Sequence, residues 1–159
     1  MSGPTANTVV PVVSIQAADF DVAAEIDRVS KTGDVGAVVT FSGICRDEQG
    51  SLTALELEHY PGMAEAEIMR IATEAVGRWP LAGLTAIHRY GKIRPGENIV
   101  LVVAASKHRR AAFDAASFLM DYLKSRAPFW KKEHRAGGAE GGWVDAKEAD
   151  EAAAARWKK

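Results

Sequence analysis

Ile99-Val100-Leu101-Val102-Val103-Ala104 is an unbroken apolar run, and it constrains the fold more than any other segment of the chain. Its β-branched residues favour a strand, and no polar residue alternates with them. Such a strand has no face to give to water, so it belongs inside a sheet covered on both sides. Ser106 follows as a candidate cap. Phe113, Ala116, Met120 and Leu123 then recur at helical spacing, a stripe expected to pack on the core.

The flanking segments supply the rest of the fold. Val9 to Ile15 is apolar and β-branched and reads as a first strand. Asp19 is a candidate N-cap for a helix carrying Val22, Ala23, Ile26 and Val29, which Gly33-Asp34 closes. Gly36 to Gly43 reads as a central strand that delivers Cys45-Arg46 into a polar turn, Asp47 to Ser51. Thr53 to Tyr60 alternates Ala54, Leu55 and Leu57 with Glu56 and Glu58, and the turn before it suggests a hairpin. Beyond the Pro61-Gly62 break, Ile68, Ala72, Ala75, Val76 and Trp79 mark the apolar face of a second helix. Leu84 to Tyr90 is another strand, and Arg94-Pro95-Gly96-Glu97 a tight turn. After Pro128, Trp130 to Arg135 reads as a last strand, residues 137–142 as a flexible loop, and the Ala/Glu-rich Asp145 to Arg156 as a terminal helix. Residues 1–8 read as a frayed start. Locally pairing strands with helices between them predict one α+β domain over 1–159, a mixed, largely antiparallel sheet packed with helices.

Charge narrows the function classes. Twenty basic and 21 acidic residues leave a net charge of −1, so nothing global points to nucleic acid. The distribution is uneven. From Lys107 to Arg135 there are eight Lys/Arg and two His against Asp114, Asp121 and Glu133. A local basic field of that size suits a small anionic ligand better than a polymer. Cys45 is the only cysteine, which rules out an internal disulfide and fits a reducing cytoplasm. Residues 1–14 lack the pattern of a signal peptide, and no apolar run approaches the ~20 residues of a membrane helix. His59, His88 and His134 show no metal-ligand spacing, so neither a metal nor a resident cofactor is expected.

Three segments carry candidate chemistry. Ser106-Lys107-His108-Arg109-Arg110 lies where the buried strand gives way to a helix. Free N–H groups at a helix start attract anions, while cations there oppose the dipole, a combination that points to a bound phosphate. Arg46, at a strand end, is either a second phosphate arm or an ordinary exposed arginine. In Met120-Asp121-Tyr122-Leu123-Lys124-Ser125-Arg126-Ala127-Pro128-Phe129-Trp130-Lys131-Lys132-Glu133, the proline ends the helix near Ala127 and lets Lys124 and Lys131 face one space. Taken alone, these lysines read as a solvated basic helix end. Desolvated, either becomes a base or a nucleophile.

In combination these motifs resemble the large, catalytic subunit of molybdopterin synthase. The resemblance rests on Val39-Thr40-Phe41-Ser42-Gly43 ending in Arg46, on Leu57-Glu58-His59-Tyr60-Pro61-Gly62-Met63, and on His88-Arg89-Tyr90-Gly91. It is completed by His108-Arg109-Arg110-Ala111-Ala112-Phe113 and by Met120 to Lys131, and it runs from about residue 10 to Trp157. It implies an α/β-hammerhead-type fold and a sulfurtransferase of molybdenum cofactor biosynthesis. The implied substrate is cyclic pyranopterin monophosphate (precursor Z), which takes two sulfurs to become the molybdopterin dithiolene. The implied sulfur source is a small ubiquitin-like subunit whose C-terminal Gly-Gly carries a thiocarboxylate. The resemblance also implies a central homodimer of large subunits, with a small subunit at each end of a heterotetramer.

Carried over by motif, Lys124 and Lys131 match the catalytic lysines, and Arg46 the strand-end arginine. His108 and Arg109 match a substrate phosphate pocket that the family completes across its dimer interface. Ile44, Cys45, Lys132 and Glu133 occupy positions lining the same site. Two other classes fit parts of the pattern: a silent scaffold for a ubiquitin-like tail, and a phosphate-ligand sensor needing only Ser106 to Arg110.

Overall fold

A computed structural model of the chain describes residues 9–47, 50, 52–136, 140–144 and 148–158. The elements run β1 (Val12–Gln16), α1 (Val22–Ser30), β2 (Ala37–Ile44), β3 (Leu52–His59), α2 (Met63–Arg78), β4 (Leu81–Arg89), β5 (Gly91–Ile93), β6 (Asn98–Ser106), α3 (Arg109–Ser125), β7 (Phe129–Arg135), β8 (Glu140–Val144) and α4 (Glu148–Ala155). The α+β class is as expected, but the strands form two sheets. One is mixed, in the order β1-β4-β6-β2; the other has the order β5-β3-β7-β8. Among the described residues, only the β1–β4 pair is parallel.

The apolar run sits inside the first sheet as β6, between β4 and β2. Val100, Val102 and Ala104 pack into the main core with Ile68, Ala72, Ala115 and Leu119 from α2 and α3. Leu101 and Val103 face the other way, against Val22, Ile26 and Val29 of α1. Each fully buried Val or Leu here contributes about 1.5–3 kcal/mol of apolar transfer energy. A third cluster, Cys45, Leu57 and Ile93, lies under the second sheet.

Several local expectations are corrected. β2 and β3 do not form a hairpin, because the chain after β2 is captured by the turn before β6. The Cys45 N–H donates to the Glu97 carbonyl (2.9 Å), and the Gly96 N–H donates to the Cys45 carbonyl (2.7 Å). β3 then pairs with β5, a three-residue strand too short to read from the sequence, and with β7. Asp21, not Asp19, caps α1 by accepting the Ala24 N–H; Asp19 accepts from the Phe20 N–H and from Asn98. Ser106 ends β6 and its hydroxyl donates to the Pro80 carbonyl, which leaves His108 as the residue before α3. Phe113 is 57% exposed, because it lies on the flank of α3 and off the buried stripe. Residues 140–142, expected in a loop, belong to β8. The expected frayed start (1–8), residues 137–139 of that loop and residues 145–147 of the expected terminal helix lie outside the described residues.

Candidate active site

α3 ends because Pro128 cannot continue it. The Arg126 N–H still donates to the Tyr122 carbonyl (2.7 Å), and the Phe129 N–H donates to the Ala127 carbonyl (2.8 Å), closing a tight bend into β7. Lys124 stands exposed in the last turn of α3, and Lys131 half-buried as the third residue of β7. Residues two apart on a strand share a face, so Phe129, Lys131 and Glu133 lie together, opposite His59, Leu57 and Leu55 of β3. Leu57 is fully buried beneath this face, which holds the stem of Lys131 against apolar surface.

Both lysines act electrostatically on His88. This residue of β4 is only 9% exposed, and its ring stacks on Phe129 at 3.8 Å and 17°. Burial pushes the imidazole down to about 4, and the charges of Lys131, Lys124 and His59 push in the same direction. The ring is therefore neutral at physiological pH. His59 completes the cluster, its ring 4.7 Å from Tyr90 and 5.9 Å from Phe129. Nothing in residue spacing links His88 to the lysines. The only hint in the chain is an imidazole beside Arg89 in a largely apolar strand.

The other candidates divide. α3 follows β6 directly and packs back along β6 and β2, so its last turn returns to the Asn98 end of β6. Ile44 pairs with Asn98, which puts exposed Ile44 and Arg46 at the lysine end. Cys45 between them turns inward. Its thiol reaches the Ile93 carbonyl at 3.8 Å, and burial, then Glu97 and Asp47, push the thiol up, so it stays protonated. Glu133 accepts a hydrogen bond from Arg135 on the Lys131 face. Lys132 points to the opposite face, across from Glu56.

His108 and Arg109 are exposed at the start of α3. At about 1.5 Å of rise per residue, Arg109 lies about 22 Å along the axis from Lys124. No arginine side chain spans that gap. One chain therefore joins Arg46, Lys124 and Lys131 at one end and leaves His108-Arg109 at the other. Among the described residues, no group of three or more His, Cys, Asp or Glu is placed to hold a metal ion, and no helix is long and apolar enough to cross a membrane.

Relatives share both the sequence and the architecture. The molybdopterin synthase catalytic subunit of Mesorhizobium japonicum is 77% identical over 149 residues, 93% of this chain and 94% of that one. The molybdopterin biosynthesis MoaE protein from Burkholderia ambifaria superposes with a TM-score of 0.79 at 44% identity, covering 92% of this chain and 97% of that one. A protein–protein complex of subunits 1 and 2 of molybdopterin-converting factor from Helicobacter pylori contains the same fold, with a TM-score of 0.69 at 21% identity over 88% of this chain and 92% of that one. The model of the MoaE protein family matches residues 15–126, the span from β1 to the lysine-bearing end of α3. By that match and by its 77% identity to a curated relative, the chain belongs to the MoaE family of molybdopterin synthase catalytic subunits.

Proposed function

We propose that this chain catalyses sulfur transfer as the large subunit of a cytoplasmic molybdopterin synthase, with Lys124 and Lys131 as its catalytic pair. The observation that carries the site is the electrostatic influence of both lysines on buried His88, whose ring stacks on Phe129 just after the Pro128 bend. The substrate is precursor Z, and the sulfur arrives as the thiocarboxylate of a small partner subunit. The two-subunit complex from Helicobacter pylori supports such a pairing. Both reactants are anions. Cationic walls offset their desolvation, and the low-dielectric floor of Leu57 and Phe129 strengthens that attraction.

In each transfer a C–S bond to a substrate carbon forms as a C–O bond at that carbon breaks, and the acyl–sulfur bond of the tail is cut. Over the two transfers, one oxygen leaves as the phosphate ester oxygen, opening the cyclic phosphate, and the other as water. Water supplies the oxygen that leaves the tail as a carboxylate. Lys124, more exposed, is the amine nearest the incoming tail. Lys131, held on the strand, orients substrate and moves protons. Arg46 and Ile44 border the same end, with Glu133 on the Lys131 face; Cys45 is buried against Leu57, and Lys132 points to the opposite face.

The substrate phosphate needs His108 and Arg109, and helix length keeps them away from the lysines of their own chain. A second copy supplies them across a central homodimer, with one small subunit at each end. A turnover assay with thiocarboxylated small subunit and precursor Z tests the assignment. Lys124→Ala should abolish product while the variant still binds the small subunit; normal product formation refutes the role. Arg109→Ala should raise KM for the pterin, and an unchanged KM counts against the phosphate pocket.

A further inference from the structure

His88 is a costly choice for its position. A leucine or phenylalanine would fill the space beside Phe129 without desolvating two ring nitrogens. The hydrogen bonding shows what the imidazole adds. Its Nδ1 lies 2.8 Å from the Arg89 carbonyl oxygen, which can only accept. Nδ1 therefore carries the proton, and in the neutral ring Nε2 keeps a lone pair. Arg89 holds that carbonyl steady. Its guanidinium donates to the Ala17 carbonyl (3.1 and 3.0 Å) and to the Asn98 carbonyl (2.9 Å), pinning the end of β4 to its neighbours.

The surroundings are cationic. Lys131 of β7, Lys124 of α3 and His59 of β3 each act electrostatically on the ring. Phe129, stacked on His88, shares the strand face of Lys131 two residues away. A carboxylate here would also hold a lysine in place, but it would stabilise the ammonium and resist proton loss. A neutral nitrogen acceptor orients the amine without fixing its charge. A group that both clamps an anion and exchanges protons needs that combination.

We infer that His88 is a positioning residue for Lys131: its ring fixes the start of β7 through Phe129, and its unprotonated Nε2 accepts a hydrogen bond from the lysine during turnover. The inference rests on the catalytic role proposed for Lys131.

Imidazole ¹⁵N spectra of the wild-type protein test the geometry directly. Nε2 of His88 should show the shift of an unprotonated nitrogen throughout the neutral range, and that shift should move in Lys131→Ala. A protonated Nε2, or one indifferent to Lys131→Ala, overturns the inference. Kinetics test the consequence. His88→Phe keeps the stack and loses the acceptor, so kcat should fall about 10- to 100-fold with little change in KM for the pterin. His88→Gln, which restores an acceptor, should recover part of that loss. Wild-type kcat in His88→Phe overturns the inference, as does His88→Gln falling to the level of Lys131→Ala. If His88→Phe fails to fold, the spectra and His88→Gln still decide. A fully active Lys131→Ala would remove the underlying reading. An inactive Lys131→Ala beside a fully active His88→Phe removes this inference alone.

Discussion

Two defective variants should repair each other. Take Lys124→Ala and Arg109→Ala, each replacing a residue at opposite ends of α3, about 22 Å apart. If every pocket takes its lysines from one subunit and its phosphate arm from the other, a homodimer of either variant has two defective pockets. The mixed dimer differs. One of its pockets combines the intact Lys124 with the intact Arg109, and the other collects both lesions. Loss of one guanidinium–phosphate contact costs about 1.5–3 kcal/mol, roughly 10- to 100-fold in kcat/KM. At substrate concentrations below KM both parents should therefore run near background. The mixed dimer should run at about half the wild-type rate per dimer, one good pocket of two in a twofold assembly. Co-expression with two affinity tags and tandem purification isolates the mixed species, and single-turnover product formation reads the result. A mixed dimer no more active than the mean of its parents would refute the shared pocket.

Three further outcomes follow from packing and titration. Leu57→Ala empties a fully buried position beneath Lys131 and should cost about 2–5 kcal/mol in urea unfolding, with little rearrangement of the main core. In Gly36→Ala the new Cβ would lie 2.3 Å from the Lys107 carbonyl oxygen, so the β2–β6 end must shift, at a cost of about 1–3 kcal/mol by thermal unfolding. His88 has a folded value near 4 against an ordinary 6.5, so the unfolded chain binds its proton first. Its contribution is whole above pH 6.5 and is lost as pH falls toward 4, by about 3 kcal/mol at most. Wild-type stability should drop over that window, and the drop should be smaller in His88→Phe when both are unfolded by urea at a series of pH values.

Much of the architecture was legible because local patterns dictate it. The unbroken run at 99–104 demanded cover on both faces and has it, from α2 and α3 on one side and α1 on the other. Pro128 ended α3 within two residues of the expected point. Pairing between strands was less legible. Alternation in β3 announced a half-exposed strand, yet a turn of ordinary composition did not reveal that Cys45 would bond to Glu97 and send β3 to another sheet. Phe113 fitted a helical stripe by spacing but lies on its exposed flank, because the width of a buried stripe depends on what packs against it.

Fold class, the covered central strand, the break at Pro128 and the residue types of an anion site were all written in the chain. They follow from side-chain volume, backbone restriction and charge, which act over a few residues. Which cations meet was settled by long-range packing. Packing set His88 of β4 against Phe129 on the strand face of Lys131, buried Cys45 against Leu57, turned Lys132 to the opposite face, and set His108-Arg109 a helix length apart. Strand register and helix length convert sequence separation into distance, and the conversion depends on the partner element, which no local pattern names.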